Sequence, residues 1–160
     1  MIVAVMGMTG VGKSTFISRL CEERIKIGHD FESCTQSVDV YTWKSPMGLI
    51  YLIDTPGFDD DVRSDGDVLS LIAEWLLKTY KRKIHLSGIL YLHRISDNRM
   101  SGNALRNLKM FQNLCGQTAL PNVILATTMW EKVSEAEGVR LETLLKNKEQ
   151  YWGVSCPDNF

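Results

Sequence analysis

The 160-residue sequence lacks a charge excess of either sign: 18 lysines and arginines face 19 aspartates and glutamates, for a net charge of −1. A general binder of nucleic acid or of anionic membrane needs a basic surplus, so both classes are set aside. No apolar run approaches the roughly 20 residues of a membrane-spanning helix. The apolar start has neither a basic leader nor a cleavage site and does not read as a signal peptide. The four cysteines (Cys21, Cys34, Cys115 and Cys156) are dispersed without a C-x-x-C pair, which excludes zinc-type spacing and argues against a disulfide framework. Reduced thiols in a cytoplasmic protein are the expectation. His29, His85 and His93 show no ligand spacing among themselves or with cysteine. Repeats, low-complexity tracts and internal linkers are also missing.

What is present has the composition of a folded domain, 44% hydrophobic and 23% charged. The length suits one domain, residues 1–160, around a single core. Strand-like and helix-like segments alternate, which predicts an α/β fold with a largely parallel sheet. The apolar run Met1 to Met6 is the first strand, and Ser14 to about Glu23 the first helix, with Phe16/Leu20 and Ile17/Cys21 as buried i,i+4 pairs. Val38, Val40 and Tyr41 open a second strand, and Leu49 to Ile53 form a third. The turn Lys44-Ser45-Pro46-Met47-Gly48 is too short for a parallel crossover, so these two strands form an antiparallel hairpin. A helix over Asp65 to Tyr80 starts at a capping-box-like Ser64/Asp67 pair and places Val68, Ile72, Trp75, Leu76 and Tyr80 on one side. Leu86 to Leu92 is a fourth strand, Ser101 to Cys115 a helix, Asn122 to Thr127 a fifth strand and Val139 to Tyr151 a last helix, with Glu142 and Lys146 paired on its wet side.

Three motifs carry chemistry. Gly7-Met8-Thr9-Gly10-Val11-Gly12-Lys13-Ser14 is a complete G-x-x-x-x-G-K-[ST] phosphate loop between a strand and a helix. Its glycines let successive N–H groups converge on a phosphate, and the helix start adds partial positive charge. Thr9, Gly10, Val11, Gly12, Lys13, Ser14 and Thr15 are therefore the candidate nucleotide contacts. Lys13 would reach the β- and γ-phosphates, and the Ser14 hydroxyl would ligate Mg²⁺. Asp54-Thr55-Pro56-Gly57 ends the third strand, where Asp54 would face that Mg²⁺ and the Gly57 N–H would sense the γ-phosphate. In the polar loop Gly28 to Ser37, Thr35 is the choice for a further Mg²⁺ and γ-phosphate contact, with Ser33 and Ser37 as competitors.

Together these stretches resemble a small GTPase domain. More narrowly they resemble the septin-like group that includes the plant chloroplast-import receptors and the immunity-associated GTPases. Uncharacterised fungal G-domain proteins look nearest, through Glu32-Ser33-Cys34-Thr35-Gln36 and Arg94-Ile95-Ser96-Asp97-Asn98-Arg99. The resemblance implies a three-layer α/β/α domain, binding of GTP or GDP with Mg²⁺, a switch cycle, and a homodimer formed through the nucleotide face. Lys13, Thr35 and Gly57 would serve hydrolysis. A non-catalytic assembly module held by nucleotide, and a phosphate-loop kinase, are the alternatives; the Asp-Thr-Pro-Gly after a hairpin strand and the lack of an arginine-rich lid speak against the kinase.

Three departures from the family pattern stand out. Guanine-selective domains end the fifth strand with [NT]-K-x-D, whose carboxylate accepts from the base, whereas this chain has Thr127-Thr128-Met129-Trp130-Glu131. With Thr127 at the first position, Thr128 and Trp130 replace the Lys and the Asp. Glu131 would then supply the carboxylate one residue late, or Trp130 would stack on the base, or Trp130 belongs to the core. Second, Phe58 follows Gly57 where many small GTPases place a water-orienting glutamine. Slow intrinsic turnover follows; Arg94 and Arg99, on the loop after the fourth strand, are either solvated arginines or a source of an arginine finger reaching a second protomer. Third, only Trp152 to Phe160 follow the last helix, so the expected domain lacks its final strand and helix and leaves the fifth strand at an edge.

Overall fold

The computed structural model describes residues 1–21, 38–59, 63–97 and 122–147, with Lys109 and Asn113 as isolated positions. β1 (Ile2–Gly7) leads through the phosphate loop into α1 (Lys13–Leu20). β2 (Asp39–Ser45) and β3 (Gly48–Asp54) form the hairpin, followed by α2 (Asp65–Lys81), β4 (Gly88–Arg94), β5 (Val123–Thr128), a 3₁₀ turn (Trp130–Lys132) and α3 (Glu135–Asn147). The sheet has the order β2-β3-β1-β4-β5. β2 pairs antiparallel with β3, and every other pairing is parallel.

Central strand β1 buries both faces because alternate side chains point opposite ways. Ala4 and Met6 join α2 and α3 in one core with Ile53, Val68, Ile72, Trp75 and Leu141. Val5 meets Ile17 and Cys21 at α1 in the other, with Leu52 and Leu92. Helices thus cover both faces, as the α/β/α expectation requires. Among the described residues β5 stands at the sheet edge, with Ile124 exposed.

Several boundaries differ from the sequence reading. Tyr80 is exposed and Thr79 takes its buried place. From Val68, eleven residues overshoot three whole turns by only about 20°, whereas twelve overshoot by about 120°. The Tyr80 ring instead meets His85 edge-on at 5.5 Å. β4 starts and ends two residues later than expected, after Ser87 has bonded to Ile2 through its N–H (2.8 Å) and its Oγ (3.1 Å). α3 begins four residues before Val139 because Ser134 accepts from the Glu137 N–H (3.3 Å) and its carbonyl accepts from Gly138 (2.8 Å). Ser64 and Asp67 form the expected reciprocal capping box. Lys146 pairs with Glu142 at 3.4 Å. Of the helix expected over Ser101 to Cys115 only Lys109 and Asn113 are described, both helical, and all residues from 148 on lie outside the described residues.

Candidate functional site

Gly7 ends β1 at φ +142°, and a Cβ there would lie 2.4 Å from the Leu92 carbonyl oxygen. Only glycine lets the chain turn away so close to β4. From Gly7 to Gly12 every carbonyl accepts a hydrogen bond. Lys13 Nζ donates to Gly7 O (3.1 Å) and Met8 O (3.0 Å). Arg94 donates from Nη2 to Thr9 O and from Nε to Gly10 O (3.3 Å). The Thr128 hydroxyl donates to Val11 O (2.8 Å), and Phe16 N–H to Gly12 O (2.8 Å). The loop is therefore shaped by donors that α1, β4 and β5 bring to its carbonyl side.

α1 opens without a side-chain cap. Its N-cap is Gly12, at φ 98° and ψ 20°, and no acidic residue lies in the first turn. Its leading N–H groups and the positive end of the helix dipole are left for an anion. Lys13 is buried beside them.

Ser14 Oγ donates to Asp54 Oδ2 at 2.6 Å, joining the first turn of α1 to the end of β3. Burial pushes the Asp54 carboxyl above its ordinary range; the Ser14 hydrogen bond and Lys13 oppose that rise, and Asp39, opposite it in the β2–β3 register, adds to it. A Mg²⁺ ion suits such a pair, because it takes one or two protein oxygens and completes its octahedron with phosphate oxygens and water. No group of three or more His, Cys, Asp or Glu side chains able to hold a metal occurs among the described residues, and this mode of binding needs none.

Beyond Asp54 the chain returns to the loop. Thr55 is buried and donates its hydroxyl to Val5 O (2.8 Å). Phe58 N–H donates to Gly7 O (3.3 Å), Thr9 N–H donates to Phe58 O (2.7 Å), and Met8 and Phe58 form a parallel bridge. The Phe58 ring is fully buried in the α2 core. Gly57 lies flat on the loop: a Cβ there would stand 2.4 Å from Thr9 Oγ1 and 2.7 Å from Thr9 N and Cα.

At the end of β5 the two adjacent threonines part ways. Thr128, not Thr127, reaches the phosphate loop, and its hydroxyl also lies 3.3 Å from His93 O. Thr127 faces the other way and accepts from the Trp130 indole N–H (2.9 Å). Counted from Thr128, the segment reads Thr-Met-Trp-Glu, with Met129 in the Lys position and Glu131 in the Asp position. Met129 adopts the left-handed region (φ 62°), and its Cε lies 3.9 Å from where a Gly12 Cβ would be. Trp130 packs against α3: a Cβ on Gly138 would sit 2.5 Å from its ring. Of the two readings left open for Trp130 itself, stacking on the base or packing, this geometry displays packing. The spacing Thr128 to Glu131 was available in the sequence, but two adjacent threonines gave no basis for choosing between them.

The structure brings Lys13, Ser14, Asp54, Gly57 and Thr128 to one end of the sheet. Arg94, expected to project toward a second protomer, is bound to its own phosphate loop instead. Thr35, its competitors Ser33 and Ser37, and Arg99 lie outside the described residues.

His93, buried behind this loop on β4, yields a test of its own. Burial pushes its imidazole below the ordinary value, Asp97 opposing and Arg94 assisting the change. The unfolded chain therefore holds more protons than the folded one just below about pH 6.5, and stability falls as pH drops through that range. Thermal unfolding at pH 7.5 and 5.5 should show a lower Tm in acid, with a smaller difference in His93→Gln. An equal difference in both proteins would remove His93 as the cause.

A phosphate loop feeding an uncapped helix, with a hydroxyl–carboxylate pair beside it, defines a nucleoside-triphosphate-binding domain. The sequence matches the 50S ribosome-binding GTPase family over residues 2–128. The chain belongs to that family and is a GTP-binding domain of the GTPase type. No curated protein matches it significantly. Among solved structures it resembles Toc33 from Arabidopsis thaliana in complex with GDP and Mg²⁺ (TM-score 0.69, 21% identity, 97% of this chain and 62% of that one). A second Toc33 structure, in complex with Mg²⁺ and GMPPNP, gives TM-score 0.64 at 20% identity, over 97% of this chain and 67% of that one. A point variant of Aquifex aeolicus Era bound to GDP.AlF4− gives 0.62 at 18%, over 92% of this chain and 47% of that one. At these identities the likeness is one of fold, and the chain spans about two thirds of the Toc33 chain.

Proposed function

We propose that this domain is a Mg²⁺-dependent GTP/GDP switch with slow intrinsic hydrolysis, selective for guanine through Glu131, which pairs through its nucleotide face with a second copy. The observation that carries this reading is the meeting of Lys13, the uncapped start of α1, the Ser14–Asp54 pair and Gly57 around one loop. Ser14 and Asp54 would hold Mg²⁺, directly and through water. When bound, that ion neutralises charge on the β- and γ-phosphate oxygens. Lys13 exchanges two loop carbonyls for phosphate oxygens, and the Gly57 N–H closes on the γ-phosphate. Thr35 and Arg99 are assigned to the switch loop and to a finger acting in trans. Slow turnover follows from Phe58, which is apolar and fully buried where water would need orienting.

Guanine presents an N1–H and a 2-amino group, two donors that an exposed carboxylate at Glu131 accepts and that adenine lacks. Competition binding of GTP, GDP, ATP and ADP with Mg²⁺ is the decisive experiment. The wild-type chain should prefer guanine, and Glu131→Gln should lose roughly ten- to a hundredfold in GTP affinity with ATP unchanged. ATP binding as tight as GTP in the wild type overturns the guanine assignment.

The likeness to Toc33, for which dimerisation is described as important for GTPase activity, supports nucleotide-dependent pairing; the place within the septin-like group, near fungal G-domain proteins, rests on the motif stretches Glu32 to Gln36 and Arg94 to Arg99. Dispersed cysteines without a pairing pattern support a cytoplasmic location; among the described residues no helix is long and apolar enough to cross a membrane. Buried Phe58 also favours a second reading, in which nucleotide holds an assembly and turnover is irrelevant. Light scattering beside a single-turnover assay separates the two: dimer formation without phosphate release selects assembly.

A further inference from the structure

We propose that Arg94 is a positioning residue that braces the phosphate loop of its own chain, and not a finger for a second copy. It is the last residue of β4, and its backbone pairs with Thr128, the last residue of β5. From there its guanidinium crosses to the loop and donates to two successive carbonyls, Thr9 O and Gly10 O. A planar guanidinium offers donors in a rigid fork, so one side chain sets the orientation of both peptide units. In a trans peptide the carbonyl and the following N–H point in opposite directions. Holding the Thr9 carbonyl toward Arg94 therefore turns the Gly10 N–H to the other side of the loop.

Gly10 supplies an independent observation. A Cβ at this position would come within 2.7 Å of Arg94 Nη2, so the glycine at φ +71° leaves the space that the guanidinium fills. The small residue at this x position of the motif thus makes room for Arg94. Asp97 Oδ1 lies 4.0 Å from Arg94 Nη1 and steadies the side chain from the solvent side, where about a third of Arg94 is exposed. Reaching a partner copy would require Arg94 to release both carbonyls and the loop geometry they fix.

The consequence for the loop stands by itself; the consequence for nucleotide affinity rests on the proposed GTP/GDP reading. Hydrogen–deuterium exchange on the ligand-free chain tests the first. In Arg94→Ala the amides of residues 8–12 should exchange at least about tenfold faster, the loss expected for hydrogen bonds to a charged group, with β1 and β4 unchanged. Arg94→Lys, which has a single ammonium and no fork, should recover part of the protection. Arg94→Gln keeps the measurement available should the alanine variant fold poorly. Titrations with GDP and GMPPNP test the second: both affinities should fall by the same factor, about tenfold, at every protein concentration. Unchanged loop exchange overturns the brace. So does a turnover defect that appears only at concentrations where the wild type dimerises, with both affinities intact, since that pattern belongs to a finger in trans. A wild-type chain that binds no nucleotide refutes the GTP/GDP reading, while the exchange result still decides the brace.

Discussion

Lys13→Ala should lose at least about a hundredfold in affinity for GTP, some 2.8 kcal/mol, while its Tm moves by only a few degrees. The two effects separate because Lys13 has different partners in the two states. In the ligand-free chain its ammonium is buried and satisfied by Gly7 O and Met8 O. Removing it takes one donor from each carbonyl, which keep the Phe58 and Val11 N–H groups at 3.3 Å, and it also removes the desolvation cost of a buried cation, so the balance is small. With nucleotide bound the same ammonium faces phosphate charge in a site of low dielectric, where nothing else on α1 replaces it. Lys13→Arg should not restore affinity, since a guanidinium is bulkier than a compact ammonium and is built for a planar fork. Isothermal titration with GTP and GDP, beside thermal melts, reads both quantities. A Lys13→Ala chain binding GTP within threefold of wild type would remove the loop from nucleotide recognition.

Gly57→Ala is the second large effect, and it acts on closure more than on binding. The new Cβ would stand 2.7 Å from Thr9 N and Cα, backbone atoms that cannot move aside. The segment after β3 must then lift from the loop. That movement breaks the Thr9 N–H bond to Phe58 O and the Phe58 N–H bond to Gly7 O, and pulls the fully buried Phe58 ring from the α2 core. Overpacking of this kind costs about 1–3 kcal/mol of stability. On the proposed reading, in which the Gly57 N–H closes on the γ-phosphate, turnover should fall about a hundredfold, as for loss of one preorganised donor. GDP affinity should change far less, since Lys13 and the start of α1 still hold the β-phosphate. The ratio of GMPPNP to GDP affinity is the sensitive readout. Phe58→Leu, which keeps an apolar side chain in the core, should leave that ratio near wild type. A wild-type ratio and turnover in Gly57→Ala would show that this segment does not sense the third phosphate.

Elements whose geometry is local were legible from the residues alone. The loop from Gly7 to Ser14 needs a strand, glycines and a helix start in immediate succession, and the spacing states all three. The hairpin followed from a turn too short for a crossover, and α2 from its capping box. The start of α3 was equally local, yet Gly138 inside the helix obscured the Ser134 cap; that glycine is there to admit the Trp130 ring.

Contacts between distant segments were not legible in this way. Arg94 and Thr9 are 85 residues apart, and Thr128 and Val11 are 117 apart. Neither a choice between adjacent threonines nor the direction of an arginine at a strand end can be read without knowing which strands are neighbours. The sequence by itself determined that a phosphate loop is present, that a strand, a helix and an acidic strand end surround it, and that β2 and β3 pair antiparallel, because each of these depends on backbone geometry over a few consecutive residues. Only the tertiary structure decided that Thr128 and Arg94 hold the loop's outer carbonyls and that Phe58 is core. Those outcomes depend on the parallel register of β1, β4 and β5, where side chains far apart along the chain arrive at the same end of the sheet.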